Sequence, residues 1–108
     1  MRLAAMTIAI LAAGSAYGQE TAAQVTADQV AVYQAAMDRG CRNAGHRRGD
    51  PQARVDAFCN CMMKTLETSM TPDEWKRAVL HALKRQDREE MAVLRPHMSK
   101  VQACSPGS

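Results

Sequence analysis

The sequence predicts an all-α fold, a small four-helix bundle stapled by two disulfides and preceded by a cleavable signal peptide. Three observations carry this reading. Good helix formers are plentiful, while aromatic residues make up only 4% of the chain and β-branched residues are scattered. Apolar residues recur at helical spacing in successive stretches. Four cysteines occur in a chain of 108 residues whose start reads as an export signal.

The export signal comes first in the chain. Met1-Arg2 is a short positive start, residues 3–13 form an apolar run without a charge, and Ala16-Tyr17-Gly18 reads as a small-x-small cleavage site. Residues 1–18 are therefore expected to leave, with the mature chain starting at Gln19. The apolar run is too short to span a bilayer and no second one follows, so no membrane anchor is expected after cleavage. No twin arginine precedes the run and no cysteine follows the cleavage site, which argues against the twin-arginine and lipoprotein routes. The expected location is the periplasm or the exterior.

Residues 19–25 read as a flexible polar leader, 26–104 as one helical domain, and 105–108 as a disordered tail. Thr26 is a suitable N-cap for the first helix, and Val30, Tyr33, Met37, Cys41 and Ala44 then share one face. This helix is expected to stop near Gly45, with residues 45–49 as a polar connection. Asp50-Pro51 opens the second helix, the carboxylate capping and the proline taking the first helical position. Its inner stripe is Val55, Phe58, Cys59, Met62, Leu66 and Met70.

Thr71-Pro72-Asp73-Glu74 is the strongest local start signal, a threonine cap with Glu74 placed to close a capping box. Trp75, Ala78, Val79, Ala82 and Leu83 form the inner face of this third helix. A fourth helix carries Met91, Leu94, Met98 and Val101 towards Cys104, and Pro96 is expected either to bend it or to divide it in two.

Export changes the meaning of Cys41, Cys59, Cys61 and Cys104. An even number of cysteines in a short exported chain reads as disulfides, and a core this small has need of them. Zinc is disfavoured, because the close pair Cys59-Asn60-Cys61 is one residue shorter than a C-x-x-C knuckle. On a helix, Cys59 and Cys61 point about 200° apart and must reach different partners. Cys59 shares the apolar stripe and Cys61 lies on its flank. Matching mid-stripe Cys41 with Cys59, and off-centre Cys104 with Cys61, is slightly favoured; Cys41–Cys61 with Cys59–Cys104 stays open.

Loss of Arg2 leaves thirteen of the fourteen Lys and Arg against eleven Asp and Glu. That near balance gives no mandate for nucleic acid. One local cluster stands out, with Arg39, Arg42, His46, Arg47 and Arg48 around the first connection. Its cations suit a helix C-terminus, and they also suit a carboxylate-rich partner or a phosphate. Arg42, His46, Arg47 and Arg48 are the candidate partner- or anion-binding residues. Arg48-Gly49-Asp50 spells an integrin-ligand tripeptide, but a tripeptide match is weak and Asp50 is already assigned as a cap.

No catalytic constellation is legible. His46, His81 and His97 are the only histidines, none beside a recognisable nucleophile motif, so a non-catalytic protein without a cofactor is expected. Thiol exchange is disfavoured because Cys59 sits well inside its helix, far from the N-terminal dipole that would lower its pKa. The alternative chemistry is copper binding, for which Cys59, Cys61, Met62, Met63, His97 and Met98 supply soft sulfur and imidazole ligands. Against it, methionine is a common core filler. The reading that remains is a small exported binding, interaction or inhibitor-type module whose partner is another envelope or secreted protein.

Overall fold

The computed structural model describes residues 21–105. The expected signal peptide, the first residues of the leader and the end of the tail lie outside the described residues. Four helices follow one another: α1 (Ala27–Arg48), α2 (Gln52–Ser69), α3 (Pro72–Leu83) and α4 (Asp87–Val101). Short 3-10 turns at Ala22–Gln24 and Gln102–Cys104 flank them, and no strand occurs among the described residues. α1 packs on α2 and α3, and α4 packs on the same two, so the helices ring the core in the order α1, α2, α4, α3. No helix among the described residues is long and apolar enough to cross a membrane.

Local chemistry explains the starts. Thr26 Oγ1 accepts from Gln29 N–H at 3.1 Å while Gln29 Oε1 accepts from Thr26 N–H at 2.8 Å, a reciprocal box that opens α1. Thr71 and Glu74 repeat the arrangement at α3, at 3.1 and 2.9 Å, with Pro72 in the first turn. The start of α2 differs from expectation. Pro51 itself occupies the cap position, and the Asp50 carboxylate turns away to Arg48 at 3.0 Å. The nearby guanidinium outcompetes backbone N–H groups that water can reach.

The end of α1 also differs, because the helix continues through Gly45 to Arg48 and closes on Gly49 in the left-handed region at φ 80°. Gly49 N–H donates to His46 O and Asp50 N–H to Gly45 O, both at 3.0 Å, the paired bonds of a Schellman cap. Gly45 is buried inside the helix for a steric reason: a Cβ there would lie 2.8 Å from Val55 Cγ2. α3 ends with the same bonding pattern, Arg85 N–H to Ala82 O and Gln86 N–H to His81 O. Here Arg85 takes the left-handed position at φ 56°, where glycine is usual.

Both disulfides take the favoured pairing. Cys41–Cys59 joins α1 to α2 with Cα atoms 5.9 Å apart, and Cys61–Cys104 joins α2 to the C-terminal turn across 5.7 Å. The core runs through Met62, Met63, Leu66 and Met70 of the α2 region, Trp75 and Ala78 of α3, and Val93, Leu94 and Val101 of α4. Val30, Tyr33, Met37, Cys41 and Phe58 pack against it, half-buried. Tyr33 meets Trp75 edge-on, ring centroids 6.3 Å apart, and its hydroxyl donates to Glu90, bracing α1 against α3 and α4.

Two stripes are corrected. Leu83 is 54% exposed and Met91 44%, so neither reaches the core. The buried face of α4 instead holds Val93, Leu94, His97 and Val101. Pro96 lies inside one continuous helix rather than dividing it. The leader is structured where described: its 3-10 turn packs on α3 and Val25 is buried.

Gly45→Ala should destabilise the fold by about 1–3 kcal/mol, despite alanine's better helix propensity, because the new methyl overlaps Val55. Arg85→Gly should stabilise it by up to about 1 kcal/mol by relieving the left-handed backbone. Urea unfolding of both variants checks these signs. Thiol titration of the unfolded, unreduced chain should find no reactive thiol.

Candidate functional site

The basic end of α1 is built around ion pairs. Arg42 donates from Nε to Asp38 at 3.0 Å, from Nη1 to Asp56 at 2.7 Å and from Nη2 to the Asn60 side-chain Oδ1 at 2.6 Å. Gln52 Nε2 donates to the same Asp56 oxygen at 2.8 Å. Arg42 thus holds α1 to α2 beside the Cys41–Cys59 bond, with three of its five N–H donors engaged there. Arg48 pairs with Asp50. Of the four candidates, His46 and Arg47 are exposed without such partners. The structure adds Arg54, which sequence reasoning missed. It shares the rim of a cleft of about 190 Å³ with Arg48, over a floor that includes Val55, Phe58 and Cys59. Arg54 lies in the first turn of α2, and its place on the same rim as Arg48 appears only after the hairpin closes.

A second surface lies between α1 and α3. Val32, Ala36, Val79, Ala82 and Leu83 line an open apolar groove of about 400 Å³, with Tyr33 in its wall and Asp28 and Gln29 at one end. Val32 is 67% exposed and Leu83 54%. The small side chains of Ala36 and Ala82 make the depression, and the two exposed residues stand beside it. In the sequence Leu83 sits at the margin of its helix's apolar stripe, whereas Val32 lies off the stripe of α1 and carried no signal.

A third cluster joins three elements that are remote in sequence. His97 is buried at the centre of the inner face of α4. Its Nε2 lies 2.8 Å from Glu74 Oε2, and its Nδ1 lies 2.6 Å from Ser69 Oγ. An ionised carboxylate only accepts, so in the neutral ring Nε2 carries the proton and Nδ1 accepts from the Ser69 hydroxyl. Lys100 Nζ donates to the same Ser69 oxygen at 2.9 Å. The Thr71 backbone N–H bond to Glu74, joined by the hydrogen bond from His97, lowers the Glu74 pKa from 4.5 to about 2. The sequence clue was a histidine spaced four residues from Val93 and from Val101; its partners could not be read from it.

The copper candidates do not share one environment. Cys59 and Cys61 belong to different disulfides, Met62 and Met63 are buried in the core, and both His97 nitrogens are engaged by Ser69 and Glu74. The thiolate pair on which the copper reading rests is consumed by the staples. Comparison with protein-family models, characterised proteins and solved structures finds no match to this chain.

Glu74 sets a pH dependence with a definite sign. Its folded pKa lies below its ordinary value, so its contribution to stability is fully present above about pH 4.5 and is lost as pH falls towards 2. Urea midpoints measured across that window should fall for the native chain. Glu74→Gln should start less stable at neutral pH and show a shallower fall, since its side chain does not titrate.

Proposed function

We propose that this protein is a small exported, disulfide-braced binding module that captures another envelope or secreted protein. The apolar groove between α1 and α3 is the observation that carries the reading. Val32 and Leu83 leave a large part of their surface in water at its edge, and apolar surface arranged around a groove is suited to contact. The occupant that fits best is the apolar face of an amphipathic helix. The groove runs between two helices, and Ala36 and Ala82 let a third backbone approach closely.

His46 and Arg47 lie about 20 Å further along α1, at 1.5 Å per residue, and supply a cationic margin for an acidic segment of the same partner. Arg42 and Arg48 support that margin from within their ion pairs. The two disulfides suit an oxidising compartment, and with the export signal they favour the periplasm or the exterior.

Cross-linking in envelope preparations, followed by purification through a C-terminal tag, should yield a discrete partner. Val32→Glu with Leu83→Glu should weaken its capture at least tenfold while leaving the melting temperature within a few degrees, because both positions are exposed. His46→Glu with Arg47→Glu should slow association and reduce its salt dependence. Full capture by the groove variant would overturn the groove as the contact surface.

A further inference from the structure

The geometry points to Ser69 as an activated nucleophile, within a Glu74–His97–Ser69 relay that accepts acyl groups from small carboxylic esters. This goes beyond the binding reading and does not depend on it. The sequence offers no nucleophile motif, since Ser69 ends α2, Glu74 begins α3 and His97 belongs to α4. Folding brings them into the arrangement a serine nucleophile needs: a base in hydrogen-bond contact with the hydroxyl, and a third group fixing the base.

Each part is positioned by something else. Glu74 is held by the α3 capping box, with Oε1 accepting from Thr71 N–H at 2.9 Å, which aims Oε2 at His97 Nε2 at 2.8 Å. That bond places the imidazole proton on Nε2 and leaves Nδ1 as the acceptor for the Ser69 hydroxyl at 2.6 Å. His97 is buried, and its Nδ1 faces Ser69, which is half-buried and lines an open groove of about 590 Å³. Lys64, Thr65, Thr68 and Lys100 share that groove.

The charge arrangement suits the same step. Ser69 lies at the C-terminal end of α2, where a helix carries roughly half a negative charge and disfavours an oxyanion. The Lys100 ammonium, 2.9 Å from the attacking oxygen, supplies a full positive charge there, and Lys64 lines the same groove. A substrate with an anionic group next to the ester would find its counter-charge in these lysines.

The step balances. Ser69 Oγ forms a bond to the ester carbonyl carbon as its proton passes to His97 Nδ1. The carbonyl oxygen takes up the negative charge beside Lys100. The carbon–oxygen bond to the leaving alcohol then breaks, and the alcohol takes the proton from His97, leaving Ser69 acylated. Water, deprotonated by His97, releases the acid and restores the serine. Ser69, His97 and Lys100 are catalytic residues in this scheme; Glu74 is a positioning residue.

A fluorophosphonate probe on the intact disulfide-bonded protein, with the adduct mapped by mass spectrometry, tests this. One adduct is expected, on Ser69, formed at least tenfold faster than any on Thr65, Thr68 or Ser99. Ser69→Ala should abolish it, His97→Gln should slow it by about 100-fold or more, and Lys100→Met should slow it by about tenfold. The protein should also release p-nitrophenol from p-nitrophenyl acetate. Nitrogen NMR of the His97 ring should show the Nε2-protonated tautomer, with Glu74→Gln shifting it towards Nδ1 and slowing Ser69 labelling with it, whereas a merely structural Glu74 would leave the labelling rate of the folded variant unchanged. Absence of a Ser69 adduct on the native protein overturns the inference whatever the variants do. So does unchanged labelling in His97→Gln that melts like the native chain.

Discussion

The structure depends on two bonds leaving one helix in nearly opposite directions. Cys59 and Cys61 are two residues apart on α2, and helical geometry turns them about 200° from each other. One therefore reaches α1 and the other the C-terminal turn. α2 becomes a spine to which the first and last parts of the domain are covalently tied. Loops of 18 and 43 residues closed in this way remove about 3 and about 4 kcal/mol of unfolded-state entropy. That is comparable to the whole net stability of a domain this small.

The first staple is one rung of a longer ladder. Cys41–Cys59, Gly45 against Val55, and Arg42 between Asp56 and Asn60 all cross the α1–α2 seam at one antiparallel register. Moving along α1 by four residues moves the contact back along α2 by four, as two antiparallel helices require. A covalent bond, a steric fit and an ionic fork thus specify the same alignment. Arg42 belongs to this ladder, so its charge serves register before it serves any partner. The second staple acts at the other flank, holding the C-terminal turn on α2 and with it the end of α4.

What was legible in the sequence was whatever local geometry decides. The Thr71–Glu74 box depends on four consecutive residues and formed as read. Angles on single helices exclude a Cys59–Cys61 bond and slightly favour the observed pairing, but choosing between the two remaining pairings takes the docked helices. A glycine at a helix end and a glycine under a neighbour look alike in one dimension, and only the docked Val55 shows that Gly45 is the second kind. Asp50 pairs with Arg48 instead of capping α2, a choice that the cap position alone does not reveal. Leu83 and Met91 sit at the margins of their stripes, where a small rotation of the helix decides between core and water. The Ser69–His97–Glu74 cluster was beyond reach, because three elements had to be docked before any of its contacts existed.

The ring order of the helices gives the two candidate surfaces their relation. α1 and α3 form one edge of the ring, and α2 and α4 form the opposite one. The apolar groove belongs to the first edge, and the lysine- and hydroxyl-lined groove over Ser69 to the second. Both staples act from α2, one across the α1 edge and one to the turn after α4, so neither closes the α1–α3 edge. That edge is held by side chains instead: Tyr33 against Trp75 and Glu90, and Val25 beneath its 3-10 turn. Burial, with the neighbouring Glu90, pushes the Tyr33 hydroxyl above its usual range, so it stays protonated and keeps donating across the bundle. The edge that carries Ser69 and His97 is tied covalently at the C-terminal turn, whereas Glu74 reaches them from α3, which carries no cysteine and is held to the cluster by its capping box and its bond to His97. The apolar groove and the Ser69 cluster share no residue, yet both draw on α3, so recognition and chemistry would be linked through that helix.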